Sequence, residues 1–466
     1  MTQIIVPQEH QHSITPEMAN HYRVLPKSIE DNVLLLYVDE AQHNDTHKDE
    51  LELLLGQMVS FYPLSGTEIE KGLLSYYRAK QNDTEGKALQ IDKNDFLESL
   101  MYEAKSLSSS DIHFEVYEED ARIRFRIDGQ LIERYKVDRE NYLELVNKVK
   151  IKSKLNITEK RLPQDGRIKN EAFDIRVSIL PTLFGEKIVM RLLGQDATNI
   201  DLNALGFEGD ELSTYLEAVK KPNGIILISG PTGSGKTTTL YATLKLLNDI
   251  KRNIVTVEDP IEYTLRGINQ VQLKEDIGLT FSSALKSFLR QDPDIIMLGE
   301  IRDSETALMA IRASLTGHLV LSTIHTNSAL GTISRLIDMG VPSYLIAETL
   351  NLSVAQRLVR KLCNDCKGTV EFVKENFPSG YVLPYPVATL YVPVGCSKCY
   401  HTGYRGRRAI YEVLGVDYEV SGAIKNNAIN TLYSSKKSKN LSQKAFDILA
   451  DGETSLDEIY SILINV

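Results

Sequence analysis

No stretch of this chain approaches the ~20 consecutive apolar residues that a helix needs to cross a bilayer. The first residues, Met1 to Ser13, carry no basic segment followed by an apolar run, so no secretory signal is expected. Positive charge is also short. The 466 residues hold 53 Lys and Arg against 63 Asp and Glu, a formal net charge of -10. A protein that grips nucleic acid usually shows a basic domain or stripe. Only Lys436, Lys437, Lys439 and Lys444 cluster, and that group reads as a solvated face. Cysteine is scarce. The four residues stand as two Cys-x-x-Cys pairs, Cys363 with Cys366 and Cys396 with Cys399. Without an export signal disulfides are not expected, and metal binding is the better reading. These absences together point to a cytosolic protein that reaches a membrane only through partners.

What is present is ordinary for a soluble globular chain: 42% hydrophobic and 25% charged residues. At roughly 100–200 residues per domain, the length predicts two to four domains. Residues 1–80 carry the alternating run Val33 to Val38 and a helix-like stretch at Leu51 to Leu55, and read as a small α/β module. The polar stretch that follows, within 81–93, reads as a linker. A second module, 94–200, opens with a helical pattern at Phe96, Leu97, Leu100, Met101 and Ala104. Strands are predicted there at Ile112 to Val116, Ala121 to Ile127, Phe173 to Ile179 and Glu186 to Leu193, with a turn at Asp128-Gly129. In the third module, 201–466, apolar runs at Gly224 to Ser229, Ile254 to Val257, Ile295 to Leu298 and Leu319 to Ile324 alternate with helical stretches such as Ser282 to Leu289 and Asp303 to Leu315. Strand alternating with helix predicts an α/β fold whose sheet is buried on both faces.

Gly230-Pro-Thr-Gly-Ser-Gly-Lys-Thr237 fits the P-loop pattern, between a predicted strand and the helical pattern Thr238 to Leu247. Gly230, Pro231, Thr232, Gly233, Ser234, Gly235, Lys236, Thr237 and Thr238 are therefore the candidate ATP-binding residues. The glycines let backbone N–H groups close around phosphates, and the helix N-terminus adds partial positive charge. Lys236 is expected on the β and γ phosphates, and the Thr237 hydroxyl on Mg2+. Hydrolysis also needs an oriented water and acidic support for the metal. Two acidic clusters lie at strand ends, Val257-Glu-Asp-Pro-Ile-Glu262 and Leu298-Gly-Glu-Ile-Arg-Asp303. Glu258 is the candidate for activating the water and Glu300 for the Mg2+ shell; the two roles can be exchanged. Gly299 stands where an ordinary Walker B motif has Asp. His325, just past the strand Leu319 to Ile324, can sense the γ-phosphate. His318 should lie at the far end of that strand, in a structural role.

Cys363-Asn-Asp-Cys366 and Cys396-Ser-Lys-Cys399 offer four thiolates, the set that suits tetrahedral Zn2+. All four positions are filled, so the site at 363–399 should be structural.

Three segments resemble one family closely. Thr256-Val-Glu-Asp-Pro-Ile-Glu262 resembles its Asp box. Leu289 to Asp303 resembles its atypical Walker B, which also carries Gly before Glu. Thr316 to Asn327 resembles its His box. The family is the ATPases of type II secretion and type IV pilus assembly, the GspE/PilB group. Ser110 to Glu115, Arg161 to Arg167 and Gly185 to Arg191 resemble its N2 domain. The resemblance implies a RecA-like P-loop ATPase domain preceded by a PAS-like α/β N2 domain. It implies that Arg176 and Arg191, with Arg161 as a third candidate, reach the nucleotide in the manner of an arginine finger. It also implies a homohexamer that drives filament assembly against an inner-membrane platform protein, with the N-terminal module free to bind a cytoplasmic adaptor. Retraction ATPases of the superfamily generally lack the four-cysteine insert, so the insert implies extension of a pilus or pseudopilus. Ser328 stands where relatives often carry Asp, and Val116 where they usually carry Pro. The N-terminal motif through which some pilus ATPases bind cyclic di-GMP is not found, so that regulation is not expected. Two other functions stay open: a RecA-like nucleic-acid translocase, which the acidic balance opposes, and a non-catalytic nucleotide-gated adaptor. Pilus and type II secretion are not separated by these residues.

Overall fold

The computed structural model describes residues 6, 10, 13–30, 33–40, 45–76, 87–88, 96–170, 173–193, 201–429 and 439–464. Apart from Lys87 and Ala88, the expected linker at 81–93 lies outside the described residues, as does the expected boundary at 200. The chain divides into two compact units. The first comprises Met1–Leu89, Glu133–Lys136 and Val373–Phe377, and the second the remainder.

In the first unit β1 (Val24–Glu30) pairs antiparallel with β2 (Val33–Asp39), and β2 pairs parallel with β3 (Met58–Leu64). Helices Pro16–Tyr22, Asp45–Leu55 and Gly66–Tyr76 accompany them. Leu34, Leu36 and Val38 alternate along β2 into a core with Leu25, Leu51 and Ile69. Buried Asp39 accepts a 2.8 Å hydrogen bond from Arg23 Nε. A two-residue strand, β4 (Lys87–Ala88), follows.

The second unit contains two large sheets. The first is built on β5 (Asp111–Val116), β6 (Ala121–Ile127), β8 (Gln164–Lys169), β9 (Asp174–Thr182) and β10 (Gly185–Leu192), in the order β6-β5-β10-β9-β8 and antiparallel throughout. Asp128 and Gly129 both adopt positive φ, 49° and 87°, the two-residue turn that Asp-Gly favours, and lead into β7 (Gln130–Val137). Alternation separates the faces. Ile112, Phe114, Ile123, Phe125, Ile188 and Met190 are buried, while the other face carries Asp111, Glu115, Arg124, Lys187 and Arg191. Burial pushes the Glu115 carboxyl up, but Arg124, Arg122 and Lys187 outweigh it and hold the group at about 2.

The second sheet runs β13-β12-β14-β15-β11-β16-β19. Its members are β11 (Gly224–Ser229), β12 (Ile254–Glu258), β13 (Asn269–Gln272), β14 (Ile295–Leu298), β15 (Leu319–Ile324), β16 (Leu350–Leu362) and β19 (Tyr404–Gly415). Six are parallel and only β19 is antiparallel. Ile226 and Ile228 of β11 pack with Leu240, Leu244 and Leu247 of the helix Lys236–Leu247, while Ile225 and Leu227 are buried on the opposite side. The predicted strands β11, β14 and β15 have the expected bounds. The long pair β16 and β19 is additional: its polar residues, Gln356, Arg357 and Arg360 among them, mask the apolar run that marks a buried strand. Between the two lies a small ribbon of β17 (Gly368–Glu371) and β18 (Thr389–Val392).

The lysine cluster is not simply a solvated face. Lys444 is buried on the helix Leu441–Ala450 and pairs with Glu208 and with Glu211 at 2.9 Å, because this helix brings it to where the helix Gly209–Val219 begins. Lys436 and Lys437 lie outside the described residues, and Lys439 pairs with Asp447 at 2.6 Å. A second buried lysine supports the first sheet of this unit. Lys150 is fully buried, 2.7 Å from Glu186 Oε1, and donates to the Glu159 carbonyl at 2.6 Å. Removing one member of a buried pair strands the other charge. Lys150→Met should therefore destabilise the protein by about 3–5 kcal/mol, read as an earlier transition in urea unfolding.

Candidate functional site

The parallel sheet brings the candidate residues to its C-terminal edge, where loops leave the strands. β11 ends at Ser229, paired with Ile324 of β15 and Ala355 of β16. Gly230 and His325 are thus the next residues of adjacent strands. Gly230, Gly233 and Gly235 take positive φ of 149°, 80° and 89°. A Cβ on Gly230 would lie 2.5 Å from the Gln356 carbonyl oxygen and 2.6 Å from Ser234 Oγ. Close approach and conformation both require glycine there. Lys236 Nζ donates to the carbonyls of Gly230 at 2.8 Å and Pro231 at 3.0 Å. Burial lowers the Lys236 pKa, and the charge of Glu300 opposes that shift. Thr237 is exposed on the first helical turn. Ser229 Oγ and Ser234 Oγ are buried without a hydrogen-bond partner. Orphaned hydroxyls, a desolvated lysine and a helix N-terminus fit a polyphosphate with its divalent cation.

The two acidic clusters occupy different environments. Glu300 lies 3.5 Å from His325 Nε2 and pairs with the Arg302 guanidinium, which also reaches Asp259 at 3.7 Å. Lys236, Glu300 and His325 are therefore neighbours. Glu258 is buried and accepts three side-chain hydrogen bonds. Its Oε1 accepts from Thr256 Oγ1 at 2.6 Å and Gln270 Nε2 at 3.0 Å, and its Oε2 accepts from the Tyr241 hydroxyl. Burial and the Glu258 charge push the Tyr241 pKa up. Gly299 has a packing reason: a Cβ there would sit 3.3 Å from the Val257 carbonyl oxygen and 3.4 Å from Glu258 Cα. An Asp in that place would crowd β12. His318 lies at the other end of β15, its Nδ1 2.8 Å from the Ala313 carbonyl oxygen. Ser328 caps the helix Ala329–Asp338, accepting from the Gly331 N–H at 3.0 Å, which an Asp would do equally well.

The N2-like arginines separate. Arg167, Arg176 and Arg191 stand opposite one another on β8, β9 and β10. Arg176 crosses to the loop after β12, donating to the Ile261 carbonyl and lying 3.6 Å from Glu262. Arg191 is held by Asp111 at 3.0 Å. Arg161 is 92% exposed, and its nearest carboxylate, Glu159, is 4.0 Å away. Sequence reasoning missed Gln356 and Arg357. Gln356 is buried and accepts from Thr239 Oγ1 at 2.9 Å, and Arg357 donates to the Asn327 side chain at 3.2 Å. Strand order alone brings them behind the P-loop.

The four cysteines are free thiols whose ligand atoms all lie within 4.8 Å of one another. Sγ separations are 3.9 Å for Cys363–Cys396, 3.8 Å for Cys366–Cys399 and 3.8 Å for Cys396–Cys399. Zn–S bonds of about 2.3 Å in a tetrahedron set S···S edges of about 3.8 Å. N–H groups of Gly395 and Gly403 point at Cys366 and Cys399 Sγ, both at 3.3 Å. Lys398 and Asp365 pair across the two knuckles at 2.6 Å. This donor set fits one soft divalent cation.

A family model described as "Type II/IV secretion system protein" matches residues 89–461. A type IV pilus assembly ATPase PilB of Myxococcus xanthus is 40% identical, over 94% of this chain and 85% of that protein. The type II secretion system ATPase E of Vibrio cholerae is 46% identical, over 78% of this chain and 74% of that protein. Among solved structures, the pilus retraction motor PilT with bound ADP superposes with a TM-score of 0.55 at 26% identity, covering 78% of this chain and 96% of that one. Among the described residues, no helix is long and apolar enough to cross a membrane. Gly230→Ala, which forces a Cβ into the Gln356 carbonyl, should weaken binding of a fluorescent ATP analogue at least ~tenfold, or about 1.4 kcal/mol.

Proposed function

Since the chain belongs to the type II/IV secretion system protein family, we propose that it is an ATP-hydrolysing motor that drives assembly of a type IV pilus or a type II secretion pseudopilus. The observation that carries this reading is the convergence of Lys236, Glu300 and His325 beside the P-loop, with Glu258 at the end of the strand next to that of Glu300. Gly230 to Thr238 hold ATP, with Lys236 on its β and γ phosphates. Thr237 and Glu300 would hold Mg2+, which when bound would supply positive charge beside the transferred phosphoryl group. Glu258 takes the proton of the attacking water, and His325 reports the γ-phosphate to Glu300. Arg176 and Arg191 make hydrolysis depend on where the N2 sheet lies. Hydrolysis then changes that position in a hinge-type transition.

The acting form is a homohexamer in the cytoplasm that meets the inner membrane through a platform protein. The N-terminal module takes a further cytoplasmic partner. The cysteine cluster holds Zn2+ in a structural role, and this insert is the feature that favours filament extension over retraction.

Lys236→Ala and Glu258→Gln should each lower steady-state ATPase activity by roughly tenfold or more, since each removes a group that phosphoryl transfer relies on. Full activity in both variants would overturn the catalytic reading. Elemental analysis of purified protein should find about one zinc per chain, lost together with thermal stability after Cys399→Ser. A folded, metal-free wild-type protein would remove the zinc assignment.

A further inference from the structure

We propose that Tyr241 is the positioning residue for Glu258, and that Arg176 acts on Glu258 through it. The inference rests on the reading of Glu258 as the group that activates water. Three side chains donate to that carboxylate. Two of them, Thr256 and Gln270, belong to β12 and β13, the same stretch of sheet as Glu258. Neither joins Glu258 to the helix that follows the P-loop. Tyr241 is different. It stands on the helix Lys236–Leu247, five residues beyond the P-loop lysine and about one and a half turns along. It is therefore the donor that ties Glu258 to the element that holds the nucleotide.

The phenol is built into place. Tyr241 is 1% exposed, its ring meets Tyr263 edge-on at 4.5 Å, and Gln270 Nε2 donates to the Tyr263 carbonyl at 3.1 Å. The same hydroxyl that donates to Glu258 accepts the Glu262 N–H at 3.3 Å. Glu262 and Ile261 are the residues that Arg176 grips from the N2 sheet. A continuous route results: Arg176 holds the loop, the loop N–H meets the phenol, and the phenol meets the carboxylate. A shift of the N2 sheet that pulls on residues 261 and 262 moves the hydrogen-bond partner of Tyr241. Glu258 is thereby repositioned against a phosphate cradle that stays still. Catalysis by a carboxylate depends steeply on such placement, whereas nucleotide binding at the P-loop does not pass through Glu258.

The test uses the full-length protein. Tyr241→Phe removes one oxygen and keeps the ring. Displacement of a base by ~1 Å can cost about a hundredfold, so kcat should fall by about ten- to a hundredfold. KM and the affinity for a non-hydrolysable ATP analogue should stay within about twofold, the signature of an interaction made in the transition state. Adding Tyr241→Phe to Glu258→Gln should lower the residual rate no further. Combining it with Arg176→Ala should cost less than the product of the single effects. Wild-type kcat in Tyr241→Phe with an inactive Glu258→Gln would overturn the inference and leave the base assigned. An active Glu258→Gln would instead overturn the assignment of the base. Loss of analogue affinity in step with kcat would mean a structural role for Tyr241 and would also overturn the inference. Strict multiplicativity with Arg176→Ala would remove the route from the N2 sheet. Where the phenylalanine variant does not fold, Tyr241→Met carries the same measurements.

Discussion

A parallel sheet must be covered on both faces, and that constraint organises the catalytic half of this protein. Once helices bury both sides of β11, β12, β14 and β15, polar groups on these strands can meet a ligand only at the ends. The P-loop, Glu258, Glu300 and His325 all follow the last apolar residues of their strands. The register of β11 with β15 and of β12 with β14 then sets which groups become neighbours. The site is thus a consequence of burying Ile226, Leu227, Met297 and Leu321 as much as of the polar residues themselves.

The same packing accounts for an unusual feature of the acidic motif. Gly299 lies against the Val257 carbonyl and the Glu258 backbone, where a side chain would push β12 away. Its absence lets the two strands close, and Glu300 follows as the acidic residue at that edge. The two carboxylates are consequently unequal. Glu300 faces Lys236, His325 and Arg302, a charged and partly open setting. Glu258 sits among hydroxyl and amide donors with little solvent. Two acids one strand apart can then do different chemistry, because their surroundings differ.

The sheet that precedes the ATPase sheet meets it through an arginine contact. Its arginines lie in one row across β8, β9 and β10, and Arg176 hydrogen-bonds the loop after β12. Arg191 is retained on its own sheet by Asp111. Arg161, the third candidate, is exposed, with Glu159 4.0 Å away. On the far side of the ATPase sheet, four thiols close the base of the β16–β19 pair, with the Cys363 N–H donating to the Gly403 carbonyl at 2.9 Å. A metal there would brace the strand that carries Gln356 and Arg357 behind the P-loop.

The sequence by itself determined the local chemistry of this protein. Glycines at 230, 233 and 235, the lysine and threonine that follow, the strand-end acids and the paired cysteines could all be read, because each depends on residues close together along the chain. The short apolar strands could be read for the same reason: burial on both faces leaves an uninterrupted run. What the sequence could not express was adjacency between distant segments. β16 and β19 carry too many polar residues to look like core strands, and Gln356 gains its meaning only from lying beside Ser229 and Gly235. Lys444 looks like a surface charge until a helix from the start of the ATPase domain supplies Glu208 and Glu211. The different partners of Arg176 and Arg191, and the shell of Tyr241, Thr256 and Gln270 around Glu258, were decided by tertiary structure alone. Both depend on separations of a few ångströms between elements far apart in sequence, and such distances are set by how whole sheets and helices pack.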